Sequence, residues 1–122
     1  MIVGKFGEIG ELIFEIDLIT ADGESFPLEA LLDTGFTTGW LALDIQDVQT
    51  LGWPKIDSEI IMQMVRGEDV FDLYEGKVVL DGQEYIIPVL AGAGIREPLL
   101  GLQWLTILPL SVNFSAEILT LG

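Results

Sequence analysis

The chain has 122 residues, 50% of them apolar, and twenty acids against five bases leave a net charge of −15; a single domain spanning 1–122 is expected. That charge repels phosphate backbones and anionic bilayer surfaces, so no nucleic acid and no membrane is expected as a partner. With no histidine and no cysteine there is no Ser-His-Asp or Cys-His catalysis, no imidazole or thiolate zinc site and no disulfide. Hydrolysis would then depend on carboxylates, hydroxyls, lysine or an all-oxygen metal site; neither a metal nor a cofactor is expected. Fourteen glycines raise the apolar share to about 60%, above the ~45–50% of average chains. That is more apolar surface than a 13.4 kDa monomer hides, which points to a subunit interface. The opening MIVGKFGEIG lacks a basic segment followed by an apolar run, so no secretory signal and a cytoplasmic location are expected.

Leu12 to Ile19 alternates Leu12, Phe14, Ile16 and Leu18 with Glu15 and Asp17, the period of a half-buried strand. Asp22-Gly23 is a hairpin turn, and Phe26 to Leu32 is the returning strand, ending at Asp33-Thr34-Gly35. A short strand follows at Trp40–Leu43. Asp44 is placed to cap a helix over Ile45–Leu51, with Gly52 as its stop. Ile60–Val65 and Val70–Leu80 are β arms around the polar tip Arg66-Gly67-Glu68-Asp69, and Asp81-Gly82 turns the chain into Glu84–Ala91. Ala91-Gly92-Ala93-Gly94 is a loop, Leu100–Ile107 a short helix, and Leu110–Phe114 with Glu117–Leu121 a closing hairpin. The charge-free run from Pro98 to Ala116 contains Pro109 near its middle, which suits a core helix followed by a core strand rather than a membrane span. The pattern predicts an all-β, barrel-like domain with one or two short helices.

Chemistry centres on Ala30-Leu31-Leu32-Asp33-Thr34-Gly35: a carboxylate at the end of an apolar strand, then a hydroxyl, then a residue that permits a tight turn. Alone, the tripeptide is a turn signal. In context it resembles the retropepsin-like aspartic proteases of clan AA, in which an apolar pair precedes Asp-Thr-Gly and a later apolar pair precedes a glycine and a short helix. Leu31-Leu32 and Pro98-Leu99-Leu100-Gly101-Leu102-Gln103-Trp104-Leu105 are similar to these two elements. Ile60–Leu80 resembles the family's flap hairpin, and Leu110–Leu121 its closing strands. Phe36 after Gly35 is similar to the bacterial and archaeal branch. Thr37 and Leu102 occupy positions where many retroviral members carry an acid and an arginine that pair; both charges are missing together.

The resemblance implies a retropepsin-like acid protease barrel, an obligate homodimer, and an aspartic endopeptidase acting on peptide or protein substrates. The catalytic residues would be Asp33, Thr34 and Gly35. Leu31 and Leu99 would line the substrate pockets, with Met64, Val65, Arg66 and Gly67 as flap-tip contacts. One Asp-Thr-Gly per chain requires the second carboxylate to come from a second copy across a twofold axis. A shared-proton pair implies an acidic optimum. Two alternatives belong to other classes: a protease-fold dimerisation or peptide-binding module without turnover, and an unrelated acidic β-barrel that binds an apolar ligand. Val79-Leu80-Asp81-Gly82 imitates the motif but lacks the hydroxyl and is read as a hairpin turn. Glu68, Asp69, Asp72 and Glu75 form a solvated face, and Trp40, Trp53 and Trp104 are core or interface residues.

Overall fold

The computed structural model describes residues 1–64 and 67–122, and the side chains of 63–68 lie outside that description. In chain order the strands are β1 Ile2–Val3, β2 Lys5–Phe6, β3 Leu12–Ile19, β4 Ser25–Leu32 and β5 Leu41–Asp44, followed by helix α1 Ile45–Leu51. After these come β6 Lys55–Met64, β7 Gly67–Leu80, β8 Gln83–Gly92 and β9 Leu99–Leu100, a turn of 3-10 helix at Leu102–Thr106, β10 Leu110–Asn113 and β11 Ile118–Leu121. Eight strands form one sheet in the order β2-β3-β4-β9-β5-β8-β7-β6, and β3 also pairs with β7, which curls the sheet into a partly closed barrel. The strands β1, β11 and β10 form a separate sheet. Among the described residues no helix is long and apolar enough to cross a membrane.

Local chemistry accounts for several of these elements. Asp44 Oδ1 accepts the Gln46 amide at 3.0 Å and Gly52 closes α1 at φ 74°, so the seven-residue helix has a cap at each end. The turn at Asp81-Gly82 holds both residues at positive φ, 54° and 74°, the two-residue hairpin geometry that this dipeptide favours. In β3 the alternation places Phe14, Ile16 and Leu18 in the core, each at most 4% exposed.

Two apolar clusters lie on opposite faces of the central strands. Leu41, Leu43, Val89, Leu100 and Trp104 belong to the main core, whereas Ala42 and Leu90 join Phe36 and Phe71 in a second cluster with Leu99 beside it. Strands β5, β8 and β9 are therefore covered on both faces, which explains why Leu41-Ala42-Leu43 and Val89-Leu90-Ala91 read as unbroken apolar runs. The side chain of Trp104 is fully buried; its Nε1–H donates to the Trp40 carbonyl at 2.6 Å, and its ring meets Trp40 and Tyr85 edge-on at 5.0 and 5.1 Å. Trp53 is also buried and donates to the Ile19 carbonyl at 2.7 Å, while Trp40 is half-buried.

The expected chain path needs four corrections. Leu99 and Leu100 form a strand, and helical geometry begins only at Leu102 and is 3-10; a two-residue strand inside an apolar run has no period of its own. Gly67, Glu68 and Asp69 belong to β7 rather than to the hairpin tip. The strand β10 is not a core strand: it is an edge of the small sheet with Ser111, Val112 and Asn113 exposed. Strands β1 and β2, two residues each, escaped pattern reading.

Candidate active site

Asp33 lies one residue beyond β4, where the chain leaves the sheet. Its partner strand β9 pairs parallel with β4 through Leu31↔Leu99 and Leu32↔Leu100, and antiparallel with β5 through Leu41↔Leu100 and Ala42↔Leu99. A segment more than sixty residues downstream is thus threaded between two strands that are consecutive in the chain. Residues 33–40 must arch over it, and this arch carries Asp-Thr-Gly.

The arch is stitched at both ends. The Asp33 amide donates to the Leu100 carbonyl at 2.9 Å, the Phe36 amide to the Asp33 carbonyl at 3.1 Å, and the Leu102 amide to the Phe36 carbonyl at 2.9 Å. Further along, the Gly101 amide donates to the Trp40 carbonyl at 3.1 Å and the Gln103 amide to the Gly39 carbonyl at 3.2 Å. Two glycines permit the crossing. A Cβ on Gly101 would overlap the Gly39 carbonyl, and a Cβ on Gly39 would enter the Phe36 ring.

Within the arch Asp33 is half-buried, and Thr34 and Gly35 are exposed. The Gly35 amide donates to Asp33 Oδ1 at 2.9 Å, so one carboxylate oxygen is oriented by the turn that follows it. Among the described residues Asp33 takes part in no ion pair, and no group of acidic residues is arranged to hold a metal ion. Gln103 Nε2 donates to the Thr37 carbonyl at 2.8 Å. A neutral hydrogen bond thereby joins the two segments that lack the paired charges at positions 37 and 102.

Two cavities flank the strand ends. A cavity of about 710 Å3 lies between β7 and the loop after β8, lined by Phe36, Leu90, Leu99, Phe71 and Met62 among others. A smaller one of about 180 Å3 is lined by Leu31 and Pro98 on the other side. Asp33 lines neither, but Leu31 and Leu99, ladder partners beside it, line one each. Of the expected flap contacts, Val65 and Arg66 lie outside the described residues, as does the side chain of Met64; Gly67 is the first residue of β7 and pairs with Met64. The base of this hairpin is irregular: register shifts flank Asp57, Glu59 has φ 55°, and its amide donates to Asp72 Oδ1 at 3.3 Å.

Sequence reasoning identified the Asp-Thr-Gly turn but not the glycine crossing or the placement of Phe36 beneath the hairpin. Gly101 was readable only as the glycine of the second motif, because the backbone it must clear, at Gly39, lies about sixty residues away, and the need for glycine at position 39 shows only once the Phe36 ring is in place.

No protein-family model and no curated protein matches the sequence. Solved structures do match. A retropepsin-like aspartic protease from Rickettsia conorii superposes with TM-score 0.61 at 18% identity, covering 99% of this chain and 88% of that one. The EIAV protease complexed with the inhibitor HBY-793 superposes with TM-score 0.65 at 17% identity, covering 84% of this chain and 91% of that one. The chain has the retropepsin-like fold.

Proposed function

We propose that the protein is an aspartic endopeptidase whose active form is a homodimer, with one Asp33 from each copy meeting at a twofold axis. The observation that carries this reading is the arch: Asp33 is held at the end of β4 by the crossing of β9, half-buried and with Oδ1 fixed by the Gly35 amide. The fold shared with a retropepsin-like aspartic protease and with EIAV protease supports it.

A lone carboxylate is a weak catalyst for amide hydrolysis, because the reaction needs a base for the water and an acid for the carbonyl oxygen at once. Two carboxylates about 3 Å apart supply both, since they share one proton. The ionised one takes a proton from water as its oxygen attacks the carbonyl carbon, and the protonated one gives its proton to the carbonyl oxygen. The resulting gem-diol collapses as the nitrogen is protonated and the C–N bond breaks. Gly35 keeps the carboxylates in line through its amide, and the exposed Thr34 hydroxyl is available to the second copy beneath them. The β6–β7 hairpin closes over the peptide and excludes water, while Leu31 and Leu99 form the apolar walls on either side.

Cleavage of a denatured protein by the purified chain, at mildly acidic pH and blocked by a transition-state analogue bearing a hydroxyl in place of the carbonyl, tests the reading. Absence of cleavage from pH 3 to 8, a range roughly spanning carboxylate titration, would leave a peptide-binding module.

A further inference from the structure

Beside the β4–β9 ladder lies an apolar-floored pocket with a charged rim. Its floor includes Ile13, Leu31 and Pro98, and its rim is made by Glu11, Glu29 and Glu97. Glu97 is tied to the ladder that leads to Asp33: the next residue, Pro98, accepts the Leu31 amide at 2.9 Å, and the parallel register that pairs Leu31 with Leu99 sets Glu97 beside Glu29. It is exposed and in no ion pair among the described residues. It also lines the larger cavity beneath the hairpin, so it stands where the two spaces meet.

We propose that Glu97 is a specificity determinant, drawing a lysine or arginine side chain of the substrate into this pocket; the proposal rests on the endopeptidase reading. An aliphatic stem on an apolar floor with a cationic head among carboxylates is how such side chains settle. The chain's own Lys5 already places its ammonium on this rim, 2.9 Å from Glu29. The Ile9 amide occupies Glu11 Oε1 at 2.8 Å, which leaves Glu97 as the rim carboxylate without a hydrogen-bond partner among the described residues. An acidic substrate side chain would meet like charges in the same space, and a net charge of −15 steers cationic peptides toward the protein. Twofold symmetry supplies two such pockets, so basic residues are favoured on both sides of the scissile bond.

The wild-type chain, Glu97→Gln and Glu97→Lys are each used to digest a peptide library from denatured proteins at low ionic strength, with cut sites read by mass spectrometry. Lysine and arginine are expected near the wild-type cut sites about fivefold more often than glutamine, the size of one solvent-accessible ion pair. The bias weakens as salt is added, disappears in Glu97→Gln and turns toward aspartate and glutamate in Glu97→Lys. Equal frequencies in the wild type, or a basic preference that survives both substitutions, overturn the proposal and leave the endopeptidase reading intact. No cleavage by the wild type overturns both.

Discussion

Asp33 is the residue on which the proposed chemistry turns, and its surroundings separate a catalytic effect from a structural one. Asparagine keeps an oxygen able to accept the Gly35 amide, and Asp33 has no ion pair to lose among the described residues. Asp33→Asn is therefore expected to leave the thermal midpoint unchanged and to lower peptidase activity by at least about a thousandfold; residual cleavage near the wild-type rate would remove Asp33 from the mechanism. Gly101 gives the converse case. Its Cβ would collide with the Gly39 backbone rather than with a side chain that could rotate away, so Gly101→Ala should destabilise the fold by about 3 kcal/mol or more, read as a lowered denaturant midpoint. These two residues also mark how far the sequence is legible at this scale. Asp33-Thr34-Gly35 is contiguous and chemically distinctive, whereas the need for glycine at position 101 arises from a backbone that only folding brings close.

Among the elements, those with local signals were readable. The helix Ile45–Leu51 is capped by its own neighbours, Asp44 and Gly52, and β3 alternates because one face meets the core. The strand β9 was not readable: its two residues owe their conformation to ladders with β4 and β5, and an apolar Leu99-Leu100 before a helix suits a helix start equally well. The β6–β7 hairpin was visible as two β arms, but its irregular base was hidden. Glu59 holds a left-handed backbone between β6 residues whose register shifts. Because Asp72 accepts its amide rather than its side chain, Glu59→Gly keeps that bond while relieving the backbone, and a gain of up to about 1 kcal/mol in chemical denaturation is expected. Under the hairpin, Phe36 is 8% exposed and anchors the second apolar cluster. Phe36→Ala should cost about 3 kcal/mol and loosen the cluster that supports the β7 arm.

At the scale of the whole molecule, charge and apolar surface oppose each other. Two copies at −15 repel, yet Val3, Val112, Phe114 and Ile118 remain exposed on or beside the small sheet, at 75%, 39%, 59% and 46%. None of the residues of β1, β10 and β11 is charged, so the proposed dimer would meet through these strands without setting strand acids face to face, the exposed Glu117 lying in the turn between β10 and β11. Association concentrates negative charge, so the dimer binds more protons than two separated chains, and linkage then makes it tighter as pH falls. Sedimentation at pH 5 and pH 7.5, values on either side of roughly neutral, should give the smaller dissociation constant at the lower pH, and added salt should narrow the gap. Equal constants at low salt would contradict this.

Subunit mixing probes the proposed shared site most directly. Wild-type chain and Asp33→Asn are co-refolded in varying proportions at constant total concentration, and peptidase activity is measured against the wild-type fraction. If each site needs an intact carboxylate from both copies, activity follows the square of that fraction; a straight line would mean that each chain acts with its own Asp33 alone.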